Sequence, residues 1–343
     1  MKMESPDYLR TSLAAAMTLK LKPGWFYRNA KLGCINLLLD YHDGCCANCA
    51  YCGLSRTRQG DFSSKSFIRV SWPKYPLETI IKRMATMEKD LGRICLSMIT
   101  HRRAVKDTVD IIERIQKTIH LPISLLISPS IVTVTDLRTF KNSGADKIGI
   151  AVDAATPLLF DTFRGKGVNG PHSWDRYWTC FKEAVDVYGA GNVGSHLIVG
   201  LGESEQEMVE AFLKTRRYGG STHLFSFFPE DGSALAKQPP CSMGQYRRMQ
   251  LARFLIDETE IPTDFTFDNL GQLTDYGLTS HEIKHLLSSG KPFMTSGCTG
   301  GNGIVACNRP YANSQPGPDI RNYPFTPNYQ DIQKISSEIF TYE

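Results

Sequence analysis

Cys34-Ile35-Asn36-Leu37-Leu38-Leu39-Asp40 runs, four residues on, into Cys45-Cys46-Ala47-Asn48-Cys49-Ala50-Tyr51-Cys52. The first stretch reads as a β-strand. The second places four of the chain's ten cysteines within eight residues. A cytosolic chain keeps its thiols reduced, so such clustering points to metal rather than to disulfides. Cys45, Cys49 and Cys52 give the spacing C-x3-C-x2-C on a loop directly after the strand. Three thiolates that close together bind three irons of a cubane cluster and leave the fourth iron without a protein ligand. An open metal position is what catalysis needs, because an exogenous chelating group can fill it. The alternative is a structural zinc held by three or four thiolates, although zinc frameworks usually show paired C-x2-C units and a single one stands here.

Outward from this strand, short β-like runs alternate with helical patterns. The further strand candidates are Arg93–Ile99, Pro122–Ile127, Lys147–Val152, Val193–Val199 and Thr222–Phe228, with a possible seventh at Asp264–Phe267. Between them, Leu77, Ile80, Ile81, Met84 and Leu91 share one helical face, and Val105, Val109, Ile112, Ile115 and Ile119 another. Trp174, Tyr177, Trp178, Phe181, Val185 and Tyr188 mark a third helix, read as core. Helical spacing alternating with strand-length runs is the signature of repeated βα units. Six such units predict an α/β chain with a mostly parallel sheet. Residues 286–328 are rich in Gly, Ser, Pro and Asn and carry two cysteines, which predicts an irregular segment held by something other than a large apolar core. The expected division is an N-terminal helical segment over 1–33, a βα-repeat unit, barrel-like or doubly wound, over 34–270 and a C-terminal extension over 271–343.

The chain has 343 residues, 41% apolar and 22% charged, which is globular composition and excludes disorder as the default. With 39 Lys and Arg against 35 Asp and Glu, the net charge of +4 is too small to argue for nucleic acid or a membrane surface. No apolar run approaches the roughly 18 residues that span a bilayer, and acidic Glu4 and Asp7 make the N-terminus a poor secretory signal. The expectation is a cytoplasmic protein.

The cysteine motif, with aromatic Tyr51 before Cys52, resembles that of the radical SAM superfamily, C-x3-C-x-aromatic-C. The resemblance implies a partial TIM-type (β/α)6 barrel with its site at the carboxyl ends of the strands. It implies that Cys45, Cys49 and Cys52 hold a [4Fe–4S] cluster whose fourth iron is chelated by S-adenosylmethionine. One-electron reduction of that cofactor yields a 5′-deoxyadenosyl radical, which abstracts a hydrogen atom from an unactivated C–H bond. Further positions follow one at a time. Ser97, at the end of the second strand, would serve the methionyl amino group through backbone. Asp153 stands where a ribose-binding acid is expected, or else caps the following helix. Gly200, in Gly200-Leu201-Gly202-Glu203, would let the backbone approach the adenine. Arg164 would pair with the methionyl carboxylate or lie solvated on the surface.

Within the superfamily the chain is similar to the biotin-synthase-like branch. Cys95 matches one ligand of that branch's sulfur-donating cluster, but the companion cysteines are absent, so Cys95 reads as a buried strand cysteine. Cys307-Asn308-Arg309-Pro310-Tyr311, Arg321-Asn322-Tyr323-Pro324, Arg10–Ala16 and Cys34–Leu39 are similar to one component of the two-component lipoyl synthases. That resemblance implies a second, auxiliary [4Fe–4S] cluster consumed as sulfur donor. The ligands expected for it are Cys34, Cys298 and Cys307, with Cys46, Cys241 or a non-cysteine side chain as the fourth. The position of Cys34 at the start of its strand, at the end opposite the active site, is a difficulty. The implied substrate is an octanoyl- or mercaptooctanoyl-lysyl carrier protein or lipoyl domain, with sulfur insertion at C6 favoured. The implied partners are a companion radical SAM lipoyl synthase component and a one-electron reductant such as ferredoxin or flavodoxin. A methylornithine synthase-like rearrangement is the alternative within the superfamily. Outside it, His281-Glu282-Ile283-Lys284-His285 fits the H-E-x-x-H pattern of zinc proteases, and a zinc-binding protein is the other class considered. Lys214, Arg216 and Arg217 form a basic run, read as a solvated helix end or a docking site for an acidic carrier. His196 and His223 lie on strands and read as barrel-lining.

Overall fold

The structure, a computed structural model, describes residues 3–59, 70–312 and 319–342. Residues 313–318, part of the irregular stretch expected over 286–328, lie outside them. The chain opens with strand β1 (Tyr8–Thr11) and helix α1 (Leu13–Thr18), then β2 (Cys34–Leu38), β3 (Lys74–Pro76) and α2 (Leu77–Ala85). Regular units follow: β4 (Arg93–Ser97) with α3 (Ala104–Gln116), and β5 (Ile123–Ile127) with α4 (Val134–Asn142). Next come β6 (Ala145–Asp153) with α5 (Pro157–Phe163) and α6 (Trp174–Tyr188), and β7 (Val193–Val199) with α7 (Glu205–Arg217). The last unit is β8 (Ser221–Ser226) with α8 (Met243–Glu258). Beyond it lie the small strands β9 (Thr266–Phe267) and β10 (Leu273–Asp275) and the helices α9 (Ser280–Ser289), α10 (Arg309–Ala312) and α11 (Tyr329–Ile339).

Strands β2, β4, β5, β6, β7 and β8 run parallel in that order, the six βα units expected from sequence. Among the described residues the edges of the sheet are β3 and β8, and the fold is a partial TIM-type barrel. Every residue of β2, β4 and β5 is buried, as parallel strands covered on both faces must be. Ile35, Leu37, Ile94, Leu96, Ile123 and Leu125 belong to one continuous core with the inner stripes of the helices. Each such side chain contributes roughly 1.5–3 kcal/mol on burial. The Trp174–Tyr188 helix is core, as read, with Tyr177, Trp178, Phe181 and Tyr188 buried.

Two expectations are corrected. Residues 8–11, placed in a helical segment, form β1, which pairs antiparallel with β2 on one side and with β3 on the other. Four and three residues are too few to show a period of two. The possible seventh strand at Asp264–Phe267 shortens to Thr266–Phe267 and pairs with β10 apart from the main sheet.

The C-terminal extension is fastened by buried guanidinium groups. Arg247 donates to Glu338 at 2.9 Å and to the carbonyls of Arg321 and Ile320 at 2.8 Å. Arg248 forks onto Glu205 at 2.6 and 2.9 Å and reaches the Thr341 carbonyl at 2.7 Å. Arg93, at the start of β4, binds Asp146 through two nitrogens and the Thr299 carbonyl at 2.7 Å. Bidentate charge-assisted bonds of this kind fix direction where apolar contact would not.

Candidate active site

The cysteine loop leaves β2 at its carboxyl end and is held on all sides by backbone bonds. Gly44, at φ +73°, makes the entry turn. Cys46 N–H donates to the Thr100 carbonyl at 2.8 Å, and Ala50 N–H to the Phe163 carbonyl at 2.7 Å. Asn48 ties the loop together: its amide donates to Val168 at 2.8 Å, and its oxygen accepts from Ser55 at 2.5 Å and Thr57 at 2.6 Å. Cys45 Sγ accepts from Ala47 N–H and Cys52 Sγ from Leu54 N–H, both at 3.4 Å. Burial pushes all three thiols above their ordinary range, Cys49 to about 11. Thiolates there need a compensating positive charge, which bound metal supplies.

Tyr51 carries the loop to the opposite side of the barrel mouth. Its hydroxyl donates to Asp153 Oδ2 at 2.5 Å. Asp153 closes β6 at φ +65°, and the cap of α5 is Thr156, so the helix-cap reading of Asp153 does not hold. Arg164 is buried rather than solvated; it donates to Asp153, to the Ala151 carbonyl and, at 3.0 Å, to Tyr177 Oη. Tyr51, Asp153 and Arg164 thus form one network beside Cys49 and Cys52. Gly200 needs glycine for two reasons: φ is +104°, and a Cβ would fall 2.6 Å from Cys241 Cβ. Glu203 folds back to accept from Gly200 N–H at 2.7 Å and Leu201 N–H at 3.0 Å. Burial raises its carboxyl to about 7 even so. Ser97 lies deeper: its hydroxyl accepts from Arg309 at 2.7 Å, its carbonyl takes Leu39 N–H, and Met98 N–H goes to Leu126. Ser97 and Met98 therefore spend these backbone groups within the sheet.

Below this mouth the lumen is lined by alternate strand residues, which share a face across a parallel ladder. One cavity is walled by Tyr51, Cys52, Asp153, Ile198, Phe227 and Glu230. A second, nearer the amino ends, is walled by Cys95, Ser124, His223, Ser296, Cys298 and Cys307. Leu126, His196, Phe225 and Arg309 line both. Gly149 and Gly194 make the room: a Cβ on Gly149 would sit 3.3 Å from His196 Nε2, and one on Gly194 2.5 Å from His223 Nε2. Burial drives both imidazoles to the neutral form, His223 to about 4.

Cys34, Cys95 and Cys307 form one buried group, with Cys298 packed against it. Cys307 packs against Cys34 and Cys95. The extension returns beneath the barrel to make this possible. Leu224 N–H donates to Ser296 Oγ at 3.1 Å, Asn308 reaches the Lys31 carbonyl at 3.3 Å, and Gly92 leaves space for Ala306. The position of Cys34 is thereby explained: Cys298 and Cys307 come to its end of the sheet. Cys241 lies elsewhere, with Ser226 and Arg321 both at 3.3 Å from its sulfur, and Cys46 is exposed. Neither joins the group, whereas Cys95, read as an isolated strand cysteine, does. Among the described residues no three His, Cys, Asp or Glu side chains converge tightly enough to hold a single metal ion. A cubane spreads its ligands over separate irons and makes no such demand. The H-E-x-x-H stretch is a surface feature: His281 and His285 are exposed, and Glu282 caps α9 by accepting from Thr279 N–H at 2.8 Å.

The radical SAM superfamily model matches residues 40–214, just over half of the chain. The chain belongs to the radical SAM superfamily. Two solved structures of the [FeFe]-hydrogenase maturase HydG are similar to it. The one from Carboxydothermus hydrogenoformans is 15% identical with a TM-score of 0.51, over 87% of this chain and 74% of that one. The other is 14% identical with a TM-score of 0.52, over 71% of this chain and 53%, about half, of that one. Methylornithine synthase PylB is 14% identical with a TM-score of 0.48, over 70% of this chain and 68% of that one. At these identities the maturases share the fold and nothing of their reactions transfers. No curated protein matches the chain significantly in sequence. No helix among the described residues is long and apolar enough to cross a membrane.

Membership implies a [4Fe–4S] cluster and S-adenosylmethionine. The donor set of the radical SAM loop fits the cluster: three thiols on one pinned turn, two of them already accepting backbone N–H bonds, beside a cavity that Cys52 lines. Sequence reasoning missed Asn48 as the loop's internal tie and Glu203 as the brace of the Gly200 turn. An Asn inside a cysteine motif and a Glu three residues after a glycine were the available signals.

Proposed function

We propose that this radical SAM enzyme inserts sulfur into an octanoyl or mercaptooctanoyl chain carried on a lysine of a lipoyl carrier protein or domain, at C6 in preference. When bound, the cluster of Cys45, Cys49 and Cys52 with S-adenosylmethionine supplies a carbon radical strong enough to take hydrogen from an alkyl C–H bond. What carries the reading is the second thiol group of Cys34, Cys298 and Cys307, which shares the barrel lumen with the mouth cavity. An auxiliary [4Fe–4S] cluster held there is the sulfur source. Leu126 and Phe225, common to both cavities, offer an apolar path on which methylene groups bury without polar cost. His196, half-buried and held neutral, adds no charge to that path. Tyr51, Asp153 and Arg164 hold the mouth rigid against the cofactor. A companion lipoyl synthase component making the other insertion, and a one-electron reductant of the ferredoxin or flavodoxin type, complete the system. Lys214 lies over Trp174 and Trp178 at 4.8 and 4.3 Å, so the basic run is partly spent on its own helix pair.

The test is anaerobic turnover with octanoylated and 8-mercaptooctanoylated carrier peptides, followed by mass spectrometry. Gain of one sulfur on the mercaptooctanoyl peptide is expected. Gain on the octanoyl peptide alone moves the reaction to the first insertion. No gain on either, with 5′-deoxyadenosine still formed, overturns sulfur insertion and redirects the reading to rearrangement chemistry.

A further inference from the structure

We propose that Cys95 is the fourth protein ligand of the second site, so that its cluster is held by Cys34, Cys95, Cys298 and Cys307 and has no vacant iron. The inference rests on the sulfur-donor reading above. Cys95 is not one thiol among apolar neighbours. It packs with Cys34 and Cys307 in one buried group and faces the cavity that Cys298 and Cys307 also line. Its register partner Ser124 stands on the same wall. Positive charge surrounds the group: Arg309 beside Cys95, and Arg93 and Lys147 beside Cys298. Four clustered thiolates require such neighbours.

Among the described residues, two buried polar atoms near the group have no hydrogen-bond partner. His223 Nδ1 is one, in a ring whose Nε2 lies 3.8 Å from Cys298 Sγ. Asn36 Oδ1 is the other, in a side chain whose amide donates to Cys34 Sγ at 3.4 Å. Unpaired polar atoms in a closed wall mark a place built around a bound group. His223 is the competing fourth ligand. It touches the group through Cys298 alone, whereas Cys95 touches it through Cys307 and Cys34, so the thiol is the closer fit.

The experiment uses the full chain with Cys45, Cys49 and Cys52 changed to Ala, reconstituted anaerobically with iron and sulfide. This protein should hold about four irons. Adding Cys95→Ala should leave a three-iron cluster with its own paramagnetic resonance signal, or none. Cys95→Ser should restore four irons with an altered signal after reduction, because oxygen replaces sulfur at one corner. Cys46→Ala and Cys241→Ala should change nothing. Four irons and an unaltered signal with Cys95→Ala would overturn the assignment while leaving the sulfur-donor reading intact. So would loss of an iron with His223→Ala in place of Cys95→Ala. Absence of iron from the triad-less protein itself would overturn the second cluster and this ligand together. A measurement on the unaltered chain guards against misfolded variants: mild oxidation should cross-link Cys95 to Cys307 after iron is removed, and not in the holoprotein. Equal cross-linking in both states would contradict ligation.

Discussion

The two cysteine groups of this barrel are built by opposite means. At the carboxyl ends of the strands, Cys45, Cys49 and Cys52 come from one eight-residue loop whose shape is fixed by its own turn and by Asn48. At the amino ends, Cys34, Cys95, Cys298 and Cys307 are brought together from two strands and a returning extension, so that the whole fold is needed to assemble them. Three thiols leave an iron vacant for a cofactor, and four leave none. A local motif suits the site that must stay open to an exchanging ligand. A group assembled by tertiary structure suits one that must stay enclosed.

The largest test of that contrast is Cys49→Ala. It should abolish reductant-dependent 5′-deoxyadenosine, measured by chromatography after anaerobic incubation, whereas Cys307→Ala should leave uncoupled cofactor cleavage in place. Equal loss in both would merge the two groups into one functional unit.

Next is Arg164→Met. Arg164 and Asp153 are 6% and 13% exposed, and removing one partner of a buried pair costs about 3–5 kcal/mol. The denaturant midpoint should fall accordingly and iron at the mouth should become labile. An unchanged midpoint would mean that the mouth is not braced by this pair.

Gly194→Ala sharpens the other side of the comparison. Its methyl group would meet the His223 ring at 2.5 Å, for a cost of about 1–3 kcal/mol. The resonance signal of the proposed second cluster should change while cofactor cleavage persists. A change confined to the first cluster would contradict the separation.

Smallest is a slope. Glu203 has its carboxyl raised from 4.5 to about 7 by burial, so the folded state binds a proton more readily than the unfolded chain. This contribution is complete below about pH 4.5 and is lost as pH rises to about 7, at no more than about 1.4 kcal/mol per pH unit. Chemical denaturation across that window should show the decline in the parent protein and a flatter profile in Glu203→Gln. Parallel profiles would mean that the two N–H bonds from Gly200 and Leu201 fully offset burial.

The same contrast explains what could be read from sequence. Six strands were legible because parallel strands buried on both faces are largely apolar runs, as Ile123–Ile127, apolar but for Ser124, is. The loop cysteines were legible because their spacing is the site. Cys95 was not, since its neighbours lie some 60 and 200 positions away and nothing local distinguishes it from a packed thiol. Arg164 read more readily as a surface residue because its burial comes from Tyr177 and Asp153 folding over it. Strand β1 was hidden by its length, and its place in the sheet depends on β3, more than sixty residues later.

The most direct measurement is electron–nuclear double resonance on the reduced protein with S-adenosylmethionine labelled with nitrogen-15 at the methionyl amino group. The account predicts coupling between that nitrogen and a cluster that disappears with Cys49→Ala and survives Cys307→Ala. Coupling that survives loss of Cys49 and disappears with Cys307 would place the vacant iron at the other end of the barrel and contradict it.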